Sequence, residues 1–415
     1  MTASPFDKPP TELPPNGARF TGDEKAFWRL LVRGAVLLLV TLGIYRFWLV
    51  TDVRRALWNN TEIAGDLLEY IGTARELLLG FLIAIALLVP INMVFFLAAL
   101  SGGRIGQLAG TIAFAALAAL GQFAVYRARR YRLARTVYRG IRFHQTGSAV
   151  RYAVCAIFWW AMIALTLGLA YPFAQASLER FKLRNTWYGD LQGNFAGSGW
   201  RLFFRGVLLW AVVVVPLVLG ALAAIVAIDW DAIAEAMRRS GDVAGRIEAA
   251  NVGPALAVVT LAATWSLLAG AALYPAFQAM VLRWWIAGLR FGDLTVTSHL
   301  RTGAVYSLYF RFMLIALAAS VAIVVGGGIA VAIVRALDGA SGSVLGIALL
   351  IAGYAIVALA YSTIYQATVR WRLWKSGVES VELAGVEVLD RVRAAGAAGS
   401  PVGEGLADAL NVGGI

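Results

Sequence analysis

The chain is poor in charge, cysteine and histidine. Only 14% of its 415 residues are Asp, Glu, Lys or Arg, against 60% in the hydrophobic class, and the mean hydropathy is +0.73. That balance excludes an ordinary water-soluble domain. The single cysteine, Cys155, cannot form an intrachain disulfide and sits in an apolar run as a small hydrophobe. The two histidines, His144 and His299, have no second ligand at metal spacing. Walker, HExxH and GxSxG motifs and cysteine clusters are all missing, so no metal, cofactor or enzymatic reaction is expected.

Long apolar runs are abundant. A crossing of a ~30 Å hydrocarbon core needs ~20 apolar residues. Runs of that kind lie at Leu77–Leu100, Ile105–Tyr126, Ala153–Phe173, Val207–Ile228, Ala255–Val281, Met313–Val334 and Val344–Val369, with a shorter one at Gly34–Trp48. The expected class is an all-α polytopic membrane protein of about six to eight transmembrane helices. Residues 1–18, rich in proline, read as a disordered tail with no cleaved signal peptide, and 394–415, rich in Gly and Ala, as a flexible one. Between them, 19–393 forms the membrane domain.

Self-comparison reveals internal repeats near 19–80, 120–205, 255–310 and 345–380. A shift of 125 positions lays Thr21-Gly22 on Thr146-Gly147, Thr41-Leu42-Gly43 on Thr166-Leu167-Gly168, Arg55 on Arg180 and Asn60-Thr61 on Asn185-Thr186. A shift of 103 lays Tyr171, Pro172, Gln175, Arg180 and Asp190 on Tyr274, Pro275, Gln278, Arg283 and Asp293. Asp66 pairs with Asp190 only after a one-residue slip. Each unit is an apolar helix, an aromatic exit, a basic extension, an Asn/Thr turn, a Gly-Asp-Leu step and a Gly-containing return. The stretches TEIAGDLLEYIGT and TWYGDLQGNFAGSG approach period two and read as small β-hairpins, which could pair into one sheet on a membrane face.

FTGDEKAFW, TLGIYRFW and RRALWNNTEIAGDLLEYIGTARELL resemble the YjgN family of bacterial inner-membrane proteins, a domain of unknown function. The resemblance covers most of the chain. It implies an inner-membrane location and a multi-span helical fold, and it transfers no catalytic residue. The second copy departs at Leu169-Ala170, where the first has Ile44-Tyr45.

Two topologies compete. If every run spans, eight crossings place the first two copies on opposite faces, as in the inverted repeats of many transporters. Lys and Arg then divide about 15 to 20 between the faces, which is no positive-inside signal. If instead Gly34–Trp48 and Ala153–Phe173 each enter and leave on one face, the opposite face holds only Arg104, Arg238, Arg239, Arg246 and Arg335, and 31 of the 36 basic residues lie with the repeat loops.

The candidate site residues are those that recur. Arg55, Arg180 and Arg283 suit anionic headgroups or an anionic solute, or else anchor helix ends at the surface. Asp66, Asp190 and Asp293 suit a cation only if they converge, and otherwise cap their turns. Asn92, Gln278 and Gln366 should face other helices, and Gly326, Gly327 and Gly328 should allow close packing. The net charge of +12 sits in short loops, so the expected partners are membrane lipids and not nucleic acid. Two functions remain open, namely a permease for a small solute and a non-catalytic protein that binds lipid or a partner through basic aromatic cytoplasmic loops. A continuous polar cavity would separate them.

Overall fold

A computed structural model describes residues 17–100, 103–238, 251–338, 344–395 and 408. Within these, twelve helices and ten short strands follow in the order β1 Ala18–Phe20, α1 Glu24–Val40, α2 Arg46–Trp58, β2 Thr61–Ile63, β3 Asp66–Tyr70, α3 Ala74–Leu100, α4 Gly103–Ala134, β4 Thr136–Tyr138, β5 Ile141–Gln145, α5 Ala149–Leu165, α6 Tyr171–Arg184, β6 Thr186–Tyr188, β7 Leu191–Phe195 and α7 Gly199–Ala227. The short α8 Trp230–Arg238 follows, then α9 Val252–Gly288, β8 Leu289–Phe291, β9 Leu294–Ser298, α10 Thr302–Asp338 and α11 Val344–Tyr365. A π-helical turn, Gln366–Arg370, leads into the twelfth helix, α12 Trp371–Glu379, then β10 Val381–Ala384 and a 3-10 turn, Val386–Arg391.

The strands pair antiparallel in chain order from β1 to β10, and Gly17 bridges back to Glu382 in β10. The sheet is therefore a closed ring with no free edge. The hairpins expected from the period-two stretches are β2–β3 and β6–β7. Two more follow β4 and β8 with the same two-residue turn length. Ala64-Gly65 and Arg139-Gly140 both have positive φ at the two central positions, the geometry that matches strand twist. In the hairpins at Gly189-Asp190 and Gly292-Asp293, only the glycine does. This explains the one-residue slip. Asp66 opens a strand, whereas Asp190 and Asp293 sit in turns.

Local chemistry fixes the ends of the helices. Thr61, Thr136 and Thr186 each turn Oγ1 back to the carbonyl four residues earlier, at Leu57, Arg132 and Lys182, satisfying an acceptor that the helix end leaves open. Asp23, Ser148 and Ser198 accept from backbone N–H groups and start α1, α5 and α7. The glycines before Asp23, Thr73 and Ser198 each lie against an aromatic ring two residues back, whereas Gly147, before Ser148, lies against Asn185. A Cβ on Gly22, Gly72 or Gly197 would come within 2.7, 2.6 or 2.4 Å of Phe20, Tyr70 or Phe195 respectively.

The two TLG motifs are reversals. α1 and α5, each of 17 residues and so ~25 Å long, end at Thr41 and Thr166. Leu42 and Leu167 adopt φ +50, and Gly43 and Gly168 adopt φ +92 and +96. Thr41 Oγ1 donates to Leu37 O at 2.6 Å and accepts from Tyr45 N at 3.0 Å, and Thr166 repeats this with Met162 and Ala170. The runs Gly34–Trp48 and Ala153–Phe173 thus contain turns and are not continuous spans. Since β2–β3 and β6–β7 belong to one sheet, the arrangement with the first two copies on opposite faces is overturned.

Five helices are long and apolar enough to cross a membrane among the described residues: Ala74–Leu100, Gly106–Ala134, Gly199–Ala227, Val252–Gly288 and Thr302–Ile329. Few residues of their apolar windows are buried within the protein, which suits a lipid-facing surface. The chain is a helical membrane protein, with a sheet that the all-α label leaves out. Gln278 does face another helix, accepting from Tyr309 Oη at 2.7 Å. Asn92 bonds its own helix at Leu88 O, and Gln366 reaches Ser362. A Cβ at Gly326, Gly327 or Gly328 would meet nothing within 4 Å, so these glycines bring no helices together.

Among the described residues, ring and helices meet in six apolar clusters. In one, the last residues of four first strands or their counterparts, Ile63, Tyr138, Tyr188 and Phe291, converge with Leu383 of β10, so all five links of the ring share one interior. Leu389 and Val388 of the 3-10 turn pack against it. In another, Phe27 stacks on Trp371 at 4.3 Å and Arg372 pairs with Glu24 at 2.8 Å, tying the start of the chain to its end.

The ring puts every hairpin at one end of the helices and α8 at the other. The Gly241 loop lies outside the described residues, so α8 supplies the opposite probe. Single cysteines replacing Asp190 or Asp293 in a Cys155→Ala background should react with an impermeant reagent from one side of sealed vesicles, and one replacing Asp231 from the other. Labelling of all three from the same side contradicts the fold.

Candidate functional site

The recurrent arginines make the same local bond. Arg55 donates to Gly72 O at 3.0 Å, Arg180 to Gly197 O at 3.3 Å and Arg283 to Leu300 O at 3.0 Å. In each case the acceptor lies 17 residues on, in the return to the next helix. These side chains hold separate turns, with Arg55 exposed and the other two half-buried. They do not converge on one ligand.

The aspartates are also separate. Asp66 meets Arg139 at 2.5 Å, Asp190 accepts from Arg393 N at 2.9 Å, and Asp293 sits exposed in its turn. Among the described residues no group of three His, Cys, Asp or Glu is placed to hold a metal ion. Asp190 thus ties its turn to a remote segment, since its own N–H also donates to Arg393 O at 3.1 Å.

A charged cluster does form, from residues that the recurrence did not single out. Arg54 of α2 is fully buried and forms a two-pronged pair with Asp408, with Nη2 at 3.0 Å from Oδ1. Arg54 also donates to Tyr70 Oη at 3.0 Å. Arg132 of α4 stands 3.5 Å from the same carboxylate. One turn earlier, Arg129 donates to Thr186 Oγ1 at 2.8 Å and to Lys182 O at 3.3 Å. Lys182 of α6 pairs with Glu179, whose other oxygen accepts from Trp285 Nε1 of α9 at 3.0 Å. Burial pushes the Lys182 ammonium below its ordinary pKa, and the Glu179 carboxylate acts against that shift. In the ring interior, burial pushes the Tyr188 hydroxyl up to about 12, with Tyr138 alongside.

Position in the unit was the available signal. Arg54 and Arg129 both stand seven residues before the strand-opening threonines Thr61 and Thr136, two turns back on the inward face of the helix. Asp408 had none, since it lies alone in a Gly/Ala-rich segment.

The second feature is an apolar cleft of about 320 Å³ between the α5–α6 reversal, α7 and α9, within the ~300–1,000 Å³ range of small-molecule sites. Its cause is a length mismatch. α5 stops at Leu165, while α7 and α9, of 29 and 37 residues, continue past it as a pair. Pro216 leaves Val212 O without its helical donor, and Trp265 Nε1 supplies one at 3.1 Å across the pair. Ser266 bonds Val213 O at 2.8 Å. Trp210 Nε1 latches the reversal at Leu167 O, 2.7 Å away. Leu169, Phe203, Val213, Leu273 and Phe277 line the walls, and Gly206 and Gly270 leave the room between them. Arg201 and Arg205 are exposed beside the lining residues Leu202 and Gly206, at the end nearer the sheet.

The whole of this architecture falls inside one family match, to a family described as bacterial protein of unknown function (DUF898), over residues 16–409. The chain belongs to that family. The resemblance to YjgN-like proteins agrees with this membership, which spans both the cluster and the cleft. No curated protein and no solved structure matches the chain.

Removing one partner of a buried ion pair strands the other in a poorly solvated place and costs ~3–5 kcal/mol, whereas one carbonyl hydrogen bond contributes ~1 kcal/mol. Arg54→Gln should therefore lower the melting temperature in detergent severalfold more than Arg180→Gln. Equal shifts would show that the cluster is not the tighter of the two sites.

Proposed function

We propose that this is a non-catalytic multi-pass protein of the bacterial inner membrane that binds phospholipid in the cleft between the α5–α6 reversal, α7 and α9. The helix pairs α3–α4, α7–α9 and α10–α11 cross the bilayer, and α1–α2 and α5–α6 are re-entrant hairpins. The ring lies on the cytoplasmic side, where 31 of the 36 basic residues fall. The recurrent hairpins and flanking helices are five copies of one internal repeat around that ring.

The observation that carries the reading is the wall chemistry of the cleft. An acyl chain matches an apolar groove facing the bilayer, and Arg201 and Arg205 at its sheet-side end match an anionic headgroup, at ~1 kcal/mol per charge. Passage of a polar solute is less well supported. The cleft is apolar, the ring interior is filled by Tyr138, Tyr188, Leu383 and Leu389, and the charged cluster is cross-linked by Asp408 and Glu179.

Gly270→Leu tests this with little risk to the fold, because the nearest atom to an added Cβ is Val213 Cγ1 at 3.8 Å. Native mass spectrometry of the purified protein should show bound phospholipid reduced at least ~5-fold in this variant, scaled to the ~1.4 kcal/mol that a tenfold change represents. Arg201→Gln with Arg205→Gln should keep the lipid and lose the preference for anionic over zwitterionic headgroups. Unchanged lipid in Gly270→Leu would refute the reading.

A further inference from the structure

One polar group inside an apolar span is only half satisfied. Asn92 of α3 lies 15 residues into the run Leu77–Leu100 and eight from its end, so ~12 Å of helix separates it from the nearer end. Its Nδ2 donates to Leu88 O of the same helix at 2.8 Å. A carboxamide has a second N–H and an acceptor oxygen, and among the described residues nothing bonds either. Two residues earlier, Pro90 lacks the N–H that Ala86 O would accept. In α7 the same defect at Pro216 is met from the neighbouring helix by Trp265, whereas no described side chain reaches Ala86 O. In hydrocarbon no water can stand in for a missing partner.

The amide borders a groove of about 420 Å³ along α3, lined by Ile85, Leu88, Val89, Asn92, Met93 and Phe96. Of these, Ile85, Val89, Met93 and Phe96 are exposed. α4 packs on another side of α3, with Gly106 against Ala99 O, and does not line the groove. Ile85, Val89, Asn92 and Phe96 follow at intervals of four, three and four residues, the 3.5-residue repeat by which one helix packs along another. An acyl chain can fill such a groove but offers nothing to an amide, and headgroups lie outside the hydrocarbon. A second copy of the chain, inserted in the same orientation, brings an identical amide to the same depth. We propose that this groove is the contact face of a two-fold homodimer, in which the two α3 helices run parallel and the two Asn92 carboxamides hydrogen-bond each other across the axis. A two-fold contact is self-complementary, and an Asn in a heptad seam pairs with its equivalent and fixes the register. Such a dimer needs α3 to cross the bilayer and is independent of lipid in the cleft, which lies between other helices.

Single cysteines in a Cys155→Ala background test this in native membranes. Val89→Cys, in the groove, should give a disulfide-linked dimer under mild oxidation. Val94 is also exposed but stands five residues on, ~140° around the helix, so Val94→Cys should give at least ~5-fold less, the scale of one interhelical contact. Peptide mass spectrometry should find α3 on both sides of the link. Adding Asn92→Leu to Val89→Cys removes the amide while keeping an apolar surface, and should cut the linkage ~5-fold or more. Asn92→Gln keeps an amide and should retain most of it. The only hydrogen bond that Asn92→Leu removes among the described residues is the one to Leu88 O, so the helix should still insert, and Asn92→Ala takes its place if it does not. Linkage at Val89→Cys no greater than at Val94→Cys, a link from α3 to a different protein, or linkage that survives loss of the amide overturns the proposal.

Discussion

Everything else in this structure depends on the backbone pairing that closes ten short strands into one ring. Each strand contributes only three to five residues, and an isolated hairpin of that size is marginal in water. Closure through Gly17 and Glu382 removes the edges and makes each hairpin the support of the next. It also fixes the ends of the flanking helices at one level, whatever their length. That allows two short reversing pairs to stand beside three long ones, and it creates both the cleft, where α5–α6 stops short, and the charged cluster, where the inward faces of α2, α4, α6 and α9 meet.

The two features differ in how they are stabilised. The cleft wall is held by hydrogen bonds from side chains to carbonyls that Pro216 disturbs, with Trp265 and Ser266 as donors. Such bonds matter more in lipid, where no water can replace them. The cluster is held by ion pairs whose desolvation cost offsets much of their attraction.

Much of the frame was legible in the sequence. The TLG motif, the Asn-Thr turn and the Gly-containing return are local devices whose chemistry acts within four or five residues, and all three appear where the spacing put them. The period-two stretches gave hairpins for the same reason. What could not be read was which side chains meet across units. Arg55, Arg180 and Arg283 stood out because they recur, but recurrence reflected a shared backbone acceptor 17 residues on. Arg54 and Arg129 are neighbours of the interior through a position seven residues before a threonine, which becomes visible only once the strands are placed. Asp408 pairs with Arg54 across 354 residues, and nothing local marks it. Run length misled at Ala153–Phe173, because hydropathy cannot see a reversal built from Thr166, Leu167 and Gly168, all of which are tolerated in an apolar stretch.

On the proposed reading, the ring closes the axis of the molecule and the lipid-facing cleft is its binding site. An electron cryo-microscopy map of the protein in nanodiscs containing anionic phospholipid tests this most directly. The account predicts elongated density between Leu169, Phe203, Val213 and Phe277, with a headgroup near Arg201 and Arg205, and a filled ring interior around Tyr138, Tyr188 and Leu389. A cleft closed by helix contact, together with a continuous aqueous passage along the axis past Arg54 and Lys182, would contradict it.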